Sequence, residues 1–193
     1  MKSERRQEKL LAVLSHRQPD LTIVMENIHD PHNVSAMFRS ADAVGIAQVQ
    51  LLYTKEQFPK IGKKSSSSAN KWVERRKFPS VKECYAQLRS EGFFILATRL
   101  DERARPIYSF DLSVPTALVF GNEHAGVSDE AAALADATAM IPMMGMIQSL
   151  NVSVACGVCL FEALRQRLQA GKYSAPSYSR NQLQVLFGDW LKK

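Results

Sequence analysis

The stretch LTIVMENIHDPHNVSAMFRSADAVGIAQVQLLY (21–53) decides the fold. LTIVME (21–26) is an apolar run with the length and β-branched character of a buried strand. NVSAMFRSADAVG (33–45) follows with helical spacing, and Gly45 supplies the stop. VQLLY (49–53) then reads as a second buried strand. Two buried strands joined by an amphipathic helix make a βαβ unit, and such units build a mainly parallel sheet covered by helices.

The same alternation continues on both sides. ERRQEKLLAVLSHR (4–17) predicts a charged helix with a narrow apolar stripe. Downstream, the pattern predicts helices over 81–90, 129–137, about 151–170 and 182–193, with strands over 93–98, 116–121 and 139–143. The least regular stretch is TKEQFPKIGKKSSSSANKWVERRKF (54–78), whose Gly, Pro and Ser content predicts a loop. That loop carries Lys55, Lys60, Lys63, Lys64, Lys71, Arg75, Arg76 and Lys77. The expectation is one α/β domain over 1–193, with short flanking helices at about 4–17 and 182–193.

Composition narrows the function classes. The 193 residues include 25 Lys+Arg against 19 Asp+Glu, a net charge of +6, and 46% are hydrophobic. These values exclude a disordered chain, a collagen and a disulfide scaffold. No apolar run reaches the roughly 18–20 residues of a membrane span, and the charged amino end is unlike a secretory signal. Three cysteines without framework spacing fit a reducing, cytoplasmic setting. Cys156 and Cys159 lie in the apolar run VSVACGVCLFEAL and read as core residues. His29 and His32 bracket Asp30-Pro31 with no second ligand cluster, so no metal site is expected. The excess positive charge points to an anionic partner.

In parallel sheets ligands bind beyond the carboxyl ends of the strands. That rule selects Glu26-Asn27, Thr98-Arg99, Gly121-Asn122-Glu123 and Pro142-Met143-Met144-Gly145. No GxGxxG follows the first strand and no GxxxxGK[ST] occurs, so neither common nucleotide fingerprint applies.

Three segments stand at those strand ends. In NIHDPHNVSAMFRSADAVG (27–45), Asn33 is suited to cap the helix, while Ser35 and Arg39 share a helix face. Arg39 is either a solvated cation or a functional one. In LVFGNEHAGVSDE (118–130), Gly121 and Gly126 permit a tight turn with Glu123 between them. The alternative there is a plain strand-to-helix connection capped by Ser128 or Asp129. In IPMMGMIQSLNVSVA (141–155), a Met-rich loop opens the long helix. Methionines suit an adenine ring or a thioether, or serve as core filler with Ser149 or Asn151 as a cap.

N-x5-R in NVSAMFR, G-x-E-x-x-G in GNEHAG, and IPMMGMIQSLNVSVA, in that order, resemble the three motifs of the SpoU/TrmH branch of the SPOUT RNA methyltransferases. The resemblance runs from RQPDLT (17–22) to FEALRQRLQAGKY (161–173). It implies an α/β fold whose carboxyl-terminal part is threaded into a deep trefoil knot, a rare exception to unknotted topology. It also implies a homodimer with its active site at the subunit interface, S-adenosylmethionine as cofactor, and no metal. The implied reaction is methyl transfer to the ribose 2′-hydroxyl of a tRNA guanosine, at position 18 of the D-loop. The same chemistry on ribosomal RNA, or a catalytically silent RNA-binding dimer, are the alternatives.

By matching positions, the resemblance assigns Thr98, Gly121, Ile141 and Leu150 to the cofactor, within turns at 97–100, 120–126 and 141–151. It assigns Asn33, Arg39, Glu123, Ser149 and Asn151 to catalysis. Arg39 would orient a phosphate and stabilise the alkoxide, since a guanidinium is a poor proton acceptor. Asn33 would hold Arg39 or the ribose, and Glu123, Ser149 and Asn151 would order the pocket. Arg5, Arg6, Lys9 and Arg17 on the first helix, with Arg165 and Arg167 on the long one, would hold tRNA phosphates, and the basic 55–77 stretch would add to them. At this length the catalytic fold and its two flanking helices account for the chain, so the catalytic domain is expected to bind RNA with its own surface.

Overall fold

A computed structural model describes residues 3–55, 57–59 and 69–193. Along the chain run α1 (Glu4–Ser15), β1 (Leu21–Glu26), α2 (Pro31–Ala43), β2 (Gln48–Leu52), α3 (Ala69–Trp72), β3 (Glu74–Phe78), α4 (Val81–Ser90) and β4 (Phe94–Thr98). Then come β5 (Arg105–Pro106), a 3-10 turn (Ile107–Ser109), β6 (Thr116–Phe120), α5 (Asp129–Leu134), β7 (Ala137–Met140), α6 (Val152–Gln169) and α7 (Arg180–Lys192). The strands form one sheet in the order β3-β2-β1-β6-β4-β7-β5, every pairing parallel.

The central strands β1 and β6 are buried along their whole length, as continuous apolar runs in a doubly covered parallel sheet must be. Alternate residues of β6 feed two cores. Leu118 and Phe120 pack with Met37, Phe38, Cys156 and Leu160 of α2 and α6. Ala117 and Val119 pack with Tyr85, Leu88 and Ala131 of α4 and α5. Outside these layers, α1 and α7 pack on each other through Leu10, Leu14 and Trp190. None of the described helices is long and apolar enough to cross a membrane.

Helix α2 begins two residues before the motif asparagine. Asp30 caps it by accepting from the His32 amide at 2.7 Å, and Pro31 occupies the first turn. Asn33 is therefore no cap; it lies inside the first turn, with its side chain released for other partners. At the other end Gly45 adopts φ 84°, and a Cβ there would lie 2.5 Å from the His16 carbonyl oxygen, so the chain turns on glycine.

The predicted 54–78 loop needs correction. Its last part forms α3 and β3, and ERRKF pairs residue for residue with β2 from Gln48↔Glu74 to Leu52↔Phe78. Lys60, Lys63, Lys64 and Ser65–Ser68 lie outside the described residues. The charge-dense strand hid because β3 is the sheet edge, where charged side chains protect unpaired backbone groups from further pairing. The short β5 also escaped the pattern, being only two residues long.

Two predicted RNA contacts are overturned. Helix α1 stops at Ser15, and Arg17 beyond it is 1% exposed. It donates to the Ile46 carbonyl at 2.8 Å, pairs with Asp42 at 2.5 Å and lies over the Trp190 ring. Arg167 is 0% exposed and spends all five N–H donors internally. Its Nε donates to Leu112 O, Nη1 to Gln18 Oε1 and Asp20 Oδ1, and Nη2 to Asp20 O and Val114 O, at 2.6–3.1 Å. A planar five-donor group is the side chain best able to close such a gap between a helix end and two chain segments. Neither arginine can reach a phosphate without dismantling the fold.

Truncating Arg167 should therefore be costly. Arg167→Ala removes five buried hydrogen bonds and leaves Asp20 with Lys172 as its remaining cationic partner, and urea denaturation should show a loss of about 3–5 kcal/mol. Burial raises the Asp20 pKa, but hydrogen bonds and charge from Arg167 and Lys172 outweigh it and leave the value below 3.8. The stability Asp20 contributes should thus be complete above 3.8 and fade as pH falls through the lowered folded value, a limb reduced to the Lys172 contribution in Arg167→Ala.

Candidate functional site

The carboxyl ends of β4, β6 and β7 and the start of α6 enclose a cleft of about 680 Å³. Thr98 and Arg99 line one side, the Gly121–Val127 turn another, and Ile141, Met143 and Gln148–Val152 the third. Three of the four strand ends selected from the sequence meet here.

The turn after β6 folds back on itself. A Cβ on Gly121 would sit 2.1 Å from the Gly126 carbonyl, so no other residue fits. Asn122 and Gly126 form an antiparallel bridge, with the Gly126 amide donating to Asn122 O at 2.8 Å. The Asn122 side chain shapes the loop, accepting from the amides of His124 and Ala125 and donating to the Asn27 carbonyl at 2.8 Å. Asn27, at the end of β1, adopts φ 51°, a conformation that asparagine tolerates better than most residues. Its Oδ1 accepts from the amides of Thr54 and Lys55, tying the ends of β1 and β2 together. The sequence marks Asn27 and Asn122 only as members of strand-end positions; their roles arise from contacts with distant loops.

Glu123 points from this turn to the entry of α2. One oxygen accepts from the His29 amide at 3.0 Å; the other accepts from the Asp30 amide at 3.0 Å and from Asn33 Nδ2 at 2.9 Å. Burial pushes its pKa up, but these hydrogen bonds to the charged form outweigh burial and hold it below the ordinary glutamate value. Asn33 continues the chain, its Oδ1 accepting from Asn151 Nδ2 at 3.0 Å. Asn151 in turn caps α6, its Oδ1 accepting from the Ser153 amide at 2.9 Å. It therefore caps the long helix and lines the cleft at the same time. One polar chain, Glu123–Asn33–Asn151, joins the three sequence motifs.

Thr98, Gly121, Ile141 and Leu150 line the cleft, as do Glu123, Ser149 and Asn151. The Thr98 hydroxyl donates to Val119 O at 2.7 Å. Ser149 is exposed and has no hydrogen-bond partner among the described residues. Arg39 is different. It stands exposed on α2, outside the cleft lining and without a partner among the described residues, while Ser35 on the same helix is buried. Both ends of the Asn33 amide are taken by Glu123 and Asn151, so Asn33 does not hold Arg39 within this chain. Arg99, unassigned from sequence beyond its strand-end position, lines the cleft and pairs with Asp129 at 2.6 Å.

Around the cleft mouth apolar side chains face outward: Leu100, Ile147, Met144 (94% exposed) and Met146 (100% exposed). The cysteines are buried, and burial pushes the Cys159 thiol up to about 12. No group of three or more His, Cys, Asp or Glu that could hold a metal occurs among the described residues. Of the remaining predicted RNA contacts, Arg5, Arg6 and Lys9 are exposed on α1, and Arg165 is exposed but bound to Glu162 and Gln169.

Comparison with known proteins agrees with this geometry. The model of the SpoU rRNA methylase family matches residues 20–161. A tRNA (guanosine(18)-2'-O)-methyltransferase of Thermus thermophilus is 46% identical over 192 residues, covering 100% of this chain and 98% of that one. The crystal structure of the A. aeolicus TrmH/SpoU tRNA modifying enzyme superposes with a TM-score of 0.91 at 39% identity, over 97% of this chain and 95% of that one. The SpoU methyltransferase AviRb from Streptomyces viridochromogenes, in complex with the cofactor AdoMet, gives a TM-score of 0.70 at 28% identity, over 80% of this chain and 62% of that one. With its three motifs joined by one polar chain beside the cleft of a seven-stranded parallel sheet, the chain belongs to the SpoU methylase family.

Proposed function

We propose that this chain transfers the methyl group of S-adenosylmethionine to the ribose 2′-hydroxyl of guanosine 18 in tRNA. The observation that carries this reading is the Glu123–Asn33–Asn151 chain beside the cleft, in a protein 46% identical to a tRNA (guanosine(18)-2'-O)-methyltransferase.

The cleft suits the cofactor. Its volume of about 680 Å³ is that of a small-ligand pocket. Ile141 and Leu150 offer apolar walls to an adenine ring, Gly121 lets a ligand approach the main chain, and Thr98 closes the floor. When bound, the cofactor supplies an electrophilic methyl group on a sulfonium. The residues of the chain then have to orient the ribose hydroxyl and stabilise charge on its oxygen.

Ser149, whose hydroxyl is uncommitted, is available to the ribose. Asn33, Glu123 and Asn151 order the pocket by fixing the turn after β6 against the entry of α2 and the start of α6. Glu123 is no general base, because its pKa is depressed and both its oxygens already accept hydrogen bonds. Arg39 carries a guanidinium, a poor proton acceptor, and acts as an electrostatic clamp on a substrate phosphate and on the developing 2′-oxyanion.

Arg39 stands outside the cleft of its own chain, which supports a homodimer in which the site is completed between subunits. The outward-facing Leu100, Met144, Met146 and Ile147 supply apolar surface for that interface. The turns at 97–100, 120–126 and 141–151 are read as the crossings of a deep trefoil knot within a single catalytic domain. Arg5, Arg6 and Lys9, together with the exposed Lys55, Lys71, Arg75 and Lys77, form the positive surface for tRNA. A tRNA substrate is consistent with action in the cytoplasm.

Tritium from labelled S-adenosylmethionine should appear in tRNA and map to guanosine 18; label confined to ribosomal RNA would overturn the assignment. Arg39→Ala should lower turnover by roughly 10²–10³-fold, as loss of a transition-state donor does, with calorimetric cofactor affinity near that of wild type. Light scattering should return about twice the 21.6 kDa chain mass. Replacing Arg5, Arg6 and Lys9 by alanine should weaken tRNA binding and flatten its logarithmic salt dependence by up to about 0.9 for each phosphate no longer neutralised.

A further inference from the structure

The segment between β1 and α2 carries the two amides that grip Glu123, those of His29 and Asp30. Where this segment stands therefore decides where Glu123 and the rest of the polar chain stand. It is held from two sides. From the turn after β6, Asn122 Nδ2 donates to Asn27 O at 2.8 Å. From the end of β2, Leu52 O accepts from the Asn27 amide at 3.0 Å, and the amides of Thr54 and Lys55 donate to Asn27 Oδ1.

One further contact from the end of β2 reaches Glu123 itself. The Tyr53 hydroxyl donates to the Ile28 carbonyl at 3.0 Å. That carbonyl shares one peptide group with the His29 N–H, which donates to Glu123 Oε2 at 3.0 Å. A peptide group is planar and stiff, so its two ends cannot be aimed separately. A hydroxyl at one end and a carboxylate at the other fix the plane between them, and hydrogen bonds in series polarise one another. Burial, with the Glu123 charge adding to it, pushes the Tyr53 pKa above the ordinary tyrosine value, so the hydroxyl keeps the proton it donates. The ring is also held. It meets Phe58 edge-on, with centroids 5.3 Å apart and planes at 84°, and both rings pack against the main core. Tyr53 does not line the cleft, so any effect it has on the reaction passes through Glu123.

We propose that Tyr53 is a positioning residue for methyl transfer: through the Ile28–His29 peptide group its hydroxyl sets the orientation of Glu123, and through Glu123 that of Asn33 and Asn151. This inference rests on the methyltransferase reading, because the step it serves is turnover of that reaction. The sequence marks Tyr53 only as the last residue of VQLLY; its role comes from a carbonyl 25 residues earlier in the chain.

Tyr53→Phe removes the hydroxyl and keeps the ring against Phe58. Turnover on tRNA should fall roughly three- to tenfold, the net effect of one hydrogen bond. In a ¹⁵N-labelled protein the same substitution should shift the side-chain amide resonances of Asn33, which Tyr53 reaches only by way of Glu123. Tyr173→Phe is the control. It removes a like bond, from the Tyr173 hydroxyl to Val44 O at 2.7 Å, where the chain approaches the amino end of β2. It should leave both turnover and the Asn33 resonances unchanged. Unchanged turnover in Tyr53→Phe, or an equal loss in Tyr173→Phe, would overturn the proposal. Unmoved Asn33 resonances would overturn it whether or not the protein methylates tRNA, and the label assay on wild-type protein tests that reading separately. If Tyr53→Phe does not fold, Phe58→Leu, which keeps the hydroxyl and frees the ring, should show both changes to a smaller degree, and neither change would overturn the proposal.

Discussion

Helix α6 is anchored at both ends by polar contacts, buried at its carboxyl end and at the edge of the cleft at its amino end, and the geometry of the cleft depends on that double anchorage. At its carboxyl end Arg167 distributes five donors over Gln18, Asp20, Leu112 and Val114. At its amino end Asn151 both caps the helix and reaches Asn33. Eighteen residues at about 1.5 Å each make a rod of about 27 Å, long enough to cross the sheet from the carboxyl ends of the strands back to Asp20 just before β1. Fixing the arginine at one end therefore fixes the asparagine at the other. A rigid helix, not a loop, sets the position of the third motif relative to the first.

The same economy governs charge. Glu123 is held ionised by amides that lead into α2 and by Asn33, so it works as a clamp that joins two loops rather than as a proton acceptor. Arg17 and Arg167 count toward the +6 of the chain, yet both are interior and paired. Among the described residues, exposed positive charge that an anionic partner could meet includes the head of α1 and the outer face of β3, where Arg75 and Lys77 are exposed and Arg76 is bound to Glu91. Net charge signalled a polyanion, but the surface that can meet it is smaller than the count of arginines and lysines implies.

Much of the fold was legible because it is written in local patterns. LTIVME reads as β1 with the same bounds in sequence and structure, and the 81–90 helix likewise, since apolar periodicity and the Ser80 cap act over a few residues. Edges were harder. The 139–143 strand lies instead at Ala137–Met140, and the 129–137 helix stops at Leu134, because pairing with β4 and β5 recruits residues whose own pattern is neutral. ERRKF became a strand only because β2 offered an open edge. Asn33 gave up the capping role because Asp30, three residues earlier, takes the amide first.

The sequence by itself determined the class of sheet, the strand ends where a ligand would sit, and the three motifs that mark them. Each depends on residue type and on spacings within a single element or turn. Tertiary structure alone decided that Arg17 and Arg167 are buried, that Asn33 joins Glu123 to Asn151, and that Arg39 stands apart from them. Those outcomes depend on partners 25 to 149 residues away in the chain. A side chain carries the capacity to pair, but packing chooses the partner, and no local spacing encodes that choice.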